Sequence, residues 1–173
     1  MTSNQLKLKK IYTNFGIILF QNAIKALRNC YSNLNLQVKP FGFLKDKIGD
    51  IRVIQRDTDY YLPSTADIYE MIKVIYQLVK DFKWERETFD CDDRAKTVSA
   101  LFSLIFRTNC CGEAYCSIKG KKTYYHWTNI LVSKEGDVIL FDVDNGGRTA
   151  IIKDIKSKIH LGKFDYTFFS VRF

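Results

Sequence analysis

The hydrophobic period of this chain changes once, close to residue 110, and no other feature constrains its fold as strongly. Upstream, apolar residues recur three and four apart, as a helix with one buried stripe requires; downstream they alternate, as a half-buried strand requires. Three helices are predicted before the change. Phe15, Ile18, Leu19, Ala23 and Leu27 mark one over residues 15–29. Ile68, Met71, Ile72, Ile75, Leu78 and Val79 mark a second, with Ser64 as its cap and Asp67 as a short capping-box acid. The third, over residues 91–106, buries Ala95, Val98, Leu101, Phe102 and Ile105, and Asp90 stands at its N-cap position. Between the first two, residues 34–57 are mixed, with short extended pieces at Leu36–Val38 and Ile51–Ile54. Residues 82–90 are polar and aromatic without a period, a loop feeding the third helix.

After the change, Gly112–Lys119, Tyr124–Val132, Val138–Val143 and Tyr166–Arg172 read as strands, and Thr149–Ile159 as a short helix. Helices first and antiparallel strands afterwards make an α+β domain, its N-terminal helices packed on a C-terminal sheet. The 173 residues are enough for one core without staples, so 1–173 is expected as a single domain: a basic, partly irregular part over 1–60 and a core over 64–173.

The longest early apolar run, Phe15–Phe20, is far short of the roughly 20 residues a membrane span needs, and it lacks a small-residue cleavage site. No membrane partner is expected. Five cysteines (Cys30, Cys91, Cys110, Cys111, Cys116) without a CxxC pair suit a reduced compartment, so the expected location is the cytoplasm. Vicinal Cys110–Cys111 and Cys116 read as packing residues, and His160 as a surface or core histidine. Most of the net charge of +8 falls in residues 1–60, where Lys7, Lys9, Lys10, Lys25, Arg28, Lys39, Lys45, Lys47, Arg52 and Arg56 stand against four aspartates. That third is either a solvated lysine-rich surface or a face for an acidic partner such as nucleic acid.

Chemistry centres on Cys91 and His126. A cysteine that opens a helix sits where unpaired amides and the macrodipole favour an anion, and a nucleophilic cysteine works as its thiolate. His126 lies on a predicted strand, in Tyr124-Tyr-His-Trp-Thr-Asn129, where a general base is held rigidly. If the next hairpin turns through Lys134-Glu-Gly136, with Gly136 left-handed, Ser133 pairs with Asp137. The register then sets His126 opposite Asp144 and diagonal to Asp142, so either carboxylate can orient the imidazole; a two-residue loop would remove both. Asp90, Asp92 and Asp93 crowd Cys91. Either they cap the helix and complement its dipole, or they hold a hard divalent cation that offsets their repulsion of a thiolate. Asn145-Gly146-Gly147 supplies a turn near the cleft, and Trp84 and Trp127 are candidates for its walls.

The string Phe89-Asp-Cys-Asp-Asp-Arg-Ala95, followed by His126-Trp-Thr-Asn129 and a hydrophobic strand ending in Phe141-Asp142, resembles a known pattern. It is similar to the papain-like, calcium-dependent cysteine protease domain of fungal chimeric lectins of the Marasmius agglutinin type, and to small phage proteins related to that domain. It also resembles the bacterial transglutaminase-like cysteine proteinases. The likeness covers about residues 82–147. It implies a papain-like or transglutaminase-like fold, a hydrolase acting on protein or peptide, Cys91 as nucleophile, His126 as base, Asp142 as orienter, and calcium held partly by Asp90, Asp92 and Asp93. Two departures stand out: Asp142-Val-Asp144 replaces a glutamate followed by proline, and Arg94 replaces an aromatic residue. No upstream side chain offers itself as an oxyanion donor, which leaves the backbone amide of Cys91. The competing expectation is a non-catalytic phage structural or accessory protein with this fold, binding nucleic acid or a virion component through its basic surface. A calcium-binding domain without thiol chemistry is a third.

Overall fold

The computed structural model describes residues 19, 21–49, 51–82 and 90–173. These fall into two units, Met1–Asn33 and Leu34–Phe173. In the first, residues 21–30 are helical (α1), and Ile24 is buried on a largely exposed surface. Residues 15–18 of the expected helix, and Lys7, Lys9, Lys10, Trp84 and most of the expected loop at 82–90, lie outside the described residues.

The second unit is α+β. Its elements in order are β1 (Gln37–Pro40), α2 (Phe41–Ile48), β2 (Arg52–Ile54), β3 (Asp59–Leu62), α3 (Thr65–Val79), α4 (Cys91–Phe106), β4 (Cys111–Lys119), β5 (Thr123–Val132), β6 (Val138–Asp142), β7 (Arg148–Ile152), β8 (Ile159–Leu161) and β9 (Phe164–Arg172). The main sheet runs β2-β9-β4-β5-β6-β7, with β8 on β9, while β1 and β3 pair separately. Every pairing is antiparallel except β2 with β9. The last strand thus enters the sheet between β2 and β4, a long-range insertion that the order of the sequence does not announce.

The two best-patterned helices form as their residues dictate. Ser64 Oγ accepts from the Asp67 amide at 3.1 Å and caps α3, which buries Ile68, Met71, Ile72, Ile75 and Val79. In α4, Asp90 is the cap and Ala95, Val98, Leu101, Phe102, Ile105 and Phe106 are buried. α4 packs on β4 and β5, and α3 packs on α4. Among the described residues, no helix is long and apolar enough to cross a membrane.

Two expectations need correction. Residues 41–48 form a helix rather than a stretch between extended pieces. Leu44 and Ile48, four apart, are fully buried, and Pro40 precedes the first turn with backbone angles of φ −70° and ψ 160° that suit a chain entering a helix. The expected helix over Thr149–Ile159 is instead β7, a turn and the start of β8. β7 pairs with β6 from Ile152↔Val138 to Arg148↔Asp142, and β-branched Thr149, Ile151 and Ile152 suit a strand. Asp154 then makes the turn, accepting from the Lys156 amide and the Ser157 hydroxyl at 3.0 and 2.7 Å.

Candidate active site

The β5–β6 hairpin determines which side chains meet. Its loop is Lys134-Glu-Gly136, Gly136 has φ +92°, and the Ser133 amide donates to Asp137 O at 3.0 Å. The ladder runs from Val132↔Val138 to Asn129↔Phe141, as the three-residue loop requires. Every residue of β6 is buried, and the strand delivers Asp142 to the interior at its last position.

His126 Nε2 lies 3.1 Å from Asp142 Oδ2, and both side chains are buried. Cys91 lies in the same cleft lining as His126 and favours its charged form; with Nε2 facing Asp142, the nitrogen left for the thiol is Nδ1. The choice between Asp142 and Asp144 is therefore resolved in geometry. Asp142 takes the imidazole, and Asp144 is drawn off by the Arg94 guanidinium. Arg94 also donates to Phe82 O, so it ties the start of α4 to the chain before it and to the turn after β6.

Asp142 has a full complement of donors. Oδ1 accepts from the amides of Asp144 and Asn145 at 2.9 and 3.3 Å, and Oδ2 also accepts from the Tyr166 hydroxyl at 2.6 Å. Asn145 Nδ2 donates to that same hydroxyl at 3.2 Å. Burial alone would raise the Asp142 carboxyl, but the His126 and Tyr166 hydrogen bonds and the His126 charge hold it below the usual carboxylate range. Burial likewise opposes charge on His126, yet Asp142 and Cys91 outweigh it and push the imidazole up to about 10. Asp142 and Cys91 together thus favour the imidazolium over the neutral ring.

Asn129 is buried and joins three elements. Its side-chain amide donates to Ala95 O in α4 at 2.9 Å and to Gly112 O in β4 at 3.3 Å. This clamp fixes α4 against the β4–β5 pair that carries His126. Tyr166 and Arg94 were not foreseen as site residues. Tyr166 is completely buried, and a buried hydroxyl needs a partner, but only the insertion of β9 reveals that the partner is Asp142.

Beside Cys91, the carboxylate oxygens of Asp90, Asp92 and Asp93 lie within 4.8 Å of one another. Asp90 caps the helix through the Asp92 amide at 3.4 Å. Its carboxyl is pushed up chiefly by a hydrogen bond with the Asp92 carboxylate, which is itself held low by Asp90 and by Lys96. Lys96 pairs with Asp92 and reaches Asp93 at 3.5 Å. Three clustered carboxylates are the right chemistry for calcium; one oxygen from each leaves at least three of its six to eight positions to other oxygens, and Lys96 already neutralises part of their charge. His126, Asp142 and Asp144 also bring ligand atoms within 4.8 Å, with the protonated imidazole and Arg94 competing for those oxygens.

An open cleft of about 500 Å³ exposes this chemistry, lined by Cys91, Arg94, His126, Asp142, Asp144 and Asn145 and walled by Ile118, Tyr124, Tyr125 and Phe164. Trp127 is not in its lining. It follows His126 on an extended strand, so its side chain takes the opposite face, where its ring centroid lies 5.1 Å from that of Tyr115 and Arg172 stands 4.3 Å from it. His160 is exposed and pairs with Asp165 at 2.9 Å. Cys110, Cys111 and Cys116 are buried, and burial raises all three thiols, Cys110 to about 12.

No family profile and no curated protein matches this sequence. Solved structures do. The chain is similar to a structure described as a PSL1a–E64 complex, with a TM-score of 0.56 and 16% identity over 79% of this chain and 51% of that one. It is also similar to Polyporus squamosus lectin bound to the human-type influenza-binding epitope Neu5Aca2-6Galb1-4GlcNAc, with a TM-score of 0.55 and 16% identity over 79% of this chain and 49% of that one. The chain thus spans about half the length of these neighbours, and at such identity the likeness is one of fold.

Proposed function

We propose that this chain is a cysteine hydrolase acting on a polypeptide, with the Cys–His–Asp chemistry of papain-like and transglutaminase-like enzymes. The observation that carries the reading is the buried His126–Asp142 hydrogen bond with Cys91 in the same cleft lining, where it favours the charged imidazole. Two further points support it. The aspartate-cysteine string resembles the protease domain of fungal chimeric lectins, and the fold neighbours include a lectin chain and a complex with E64, an epoxide that alkylates thiols. The sugar recorded with the second neighbour belongs to that lectin and is not carried over.

In this reading the Cys91 thiolate adds to the amide carbonyl carbon, and the backbone amide of Cys91, at the first position of α4, faces the developing oxyanion. His126 gives its Nδ1 proton to the leaving nitrogen, and the amine departs from an acyl thioester. Neutral His126 then takes a proton from water as it attacks the thioester, releasing the acid and restoring the thiolate and imidazolium. Asp142 keeps the ring oriented throughout. Asp90, Asp92 and Asp93 would hold calcium, which would supply positive charge to offset their repulsion of the thiolate.

The test is incubation of the full chain with E64, with and without calcium, followed by intact mass and site mapping. We expect one adduct, on Cys91, that is lost in His126→Ala. An unreacted Cys91 under both conditions would overturn the proposal.

A further inference from the structure

The cleft does not end at Phe164. A second groove of about 640 Å³ shares Asp144, Asn145 and Phe164 with it and continues past Gly146 to Arg148, Gly162 and Lys163. Charge is distributed unevenly along this joint surface. Asp144, the carboxylate at the junction, is already neutralised by Arg94. Beyond it stand two cations, Arg148 and Lys163, and no ion pair with a carboxylate is found for either among the described residues.

Both cations are exposed, and each has an identifiable neighbour. A Cβ on Gly162 would come within 2.5 Å of Arg148 Nη1, so a glycine there, with φ +64°, gives the guanidinium its room. Lys163 Nζ stands 5.2 Å from the centroid of the Phe164 ring, which lines both grooves. A guanidinium and an ammonium lining one groove, next to a wall that a substrate chain must pass, match one ligand chemistry: a carboxylate on that chain.

We propose that Arg148 and Lys163 form a substrate subsite for an acidic side chain, so that the polypeptide carries Asp or Glu a few residues to one side of the bond presented to Cys91. The inference rests on the hydrolase reading for its substrate, but the groove's preference can be measured without turnover.

The experiment uses the full chain as Cys91→Ala and two fluorescein-labelled pools of random short peptides, one containing Asp and Glu, the other Asn and Gln in their place. Fluorescence anisotropy at low salt should show the acidic pool binding about five-fold tighter, the factor expected of two partly exposed ion pairs. Arg148→Gln/Lys163→Gln should abolish that preference. Lys45→Gln/Lys153→Gln removes the same charge outside the groove and should leave it intact. Arg148→Glu should shift preference toward the neutral pool. Equal loss in both double variants, or no preference in the parent, overturns the subsite. Cleavage sites mapped in parallel on a peptide digest with wild-type protein separate the two ideas. Cleavage without Asp or Glu enriched at a fixed position sinks the subsite alone. Acidic preference that depends on the groove, in a protein whose Cys91 never reacts with E64, sinks the hydrolase reading alone.

Discussion

Two groups of carboxylates flank Cys91, and the protein handles them in opposite ways. At the start of α4, Asp90, Asp92 and Asp93 are partly exposed, share a hydrogen bond between two of their own number and lean on the flexible Lys96. At the end of β6, Asp142 is buried and accepts from His126, Tyr166 and two backbone amides. The helix-start group was the more conspicuous in sequence, being three acids around one cysteine. The strand-end group has the better geometry for holding an imidazole, because burial forces every lone pair to find a donor and so fixes the carboxylate in one orientation.

The contrast can be broken most directly at the strand end. Asp142→Asn should cut turnover of a peptide substrate by about 10²–10⁴-fold, since the amide no longer supports a protonated, correctly oriented ring. It should also cost about 3–5 kcal/mol in urea unfolding, because His126 is left buried without its counter-charge. If Asp142→Asn proves as mild as Asp92→Asn, the distinction drawn here is wrong.

The pH dependence of stability tests the same pair from the other partner. His126 has a folded value of about 10 against an ordinary 6.5, so its contribution is complete below about pH 6.5 and is lost as pH rises towards 10. Asp142 is depressed, so its contribution is present above its ordinary 3.8 and disappears on further acidification. Thermal melting should therefore decline from neutral pH towards pH 10, and the alkaline part of that decline should vanish in His126→Gln. An unchanged alkaline profile in that variant would remove His126 as its cause.

Tyr166→Phe should have a smaller effect, about 1–3 kcal/mol, by deleting one donor to Asp142 Oδ2. The tyrosine acts through Asp142, so the variant should also lower the alkaline limb of the rate profile, which a loss of packing alone would not do. The smallest effect belongs to the helix start: Lys96→Ala should change stability by less than about 1 kcal/mol, as for other exposed pairs. Calcium is what could reverse this ranking. If millimolar calcium raises the melting temperature, and Asp90→Asn/Asp93→Asn abolishes that rise, the exposed group is a built site; no rise leaves it as a cap and a dipole complement.

The cysteines show how far composition could take the reading. Three of the five are buried with raised thiols, while Cys30 is exposed and Cys91 partly so. Iodoacetamide should therefore label Cys30 and Cys91 in the native protein. Only Cys91 should lose its reactivity in His126→Ala, and labelling of Cys116 under native conditions would contradict the burial seen here. The sequence picked out Cys91 from its place at a helix start, but nothing in the neighbourhood of Cys116 told that its sulfur would lie 3.4 Å from the carbonyl of His126.

What the sequence determined by itself is local. The stripe and cap of α3, the start of α4 at Cys91, and the loop Lys134-Glu-Gly136 follow from residues within one or two turns of each other, where propensity, capping and hairpin geometry operate. Because a strand alternates strictly, that one loop also set Asp142 on the face of His126. Tertiary structure decided the rest. The insertion of β9 beside β4 brings Tyr166 to Asp142, Asn129 proves to be a clamp on α4, Arg94 claims Asp144, and the groove at Arg148 and Lys163 arises where the turn before β7 meets the turn between β8 and β9. The physical reason is range. Periodicity records which face of an element is buried, whereas the identity of the group it is buried against depends on strand order, and strand order is settled by the packing of the whole sheet.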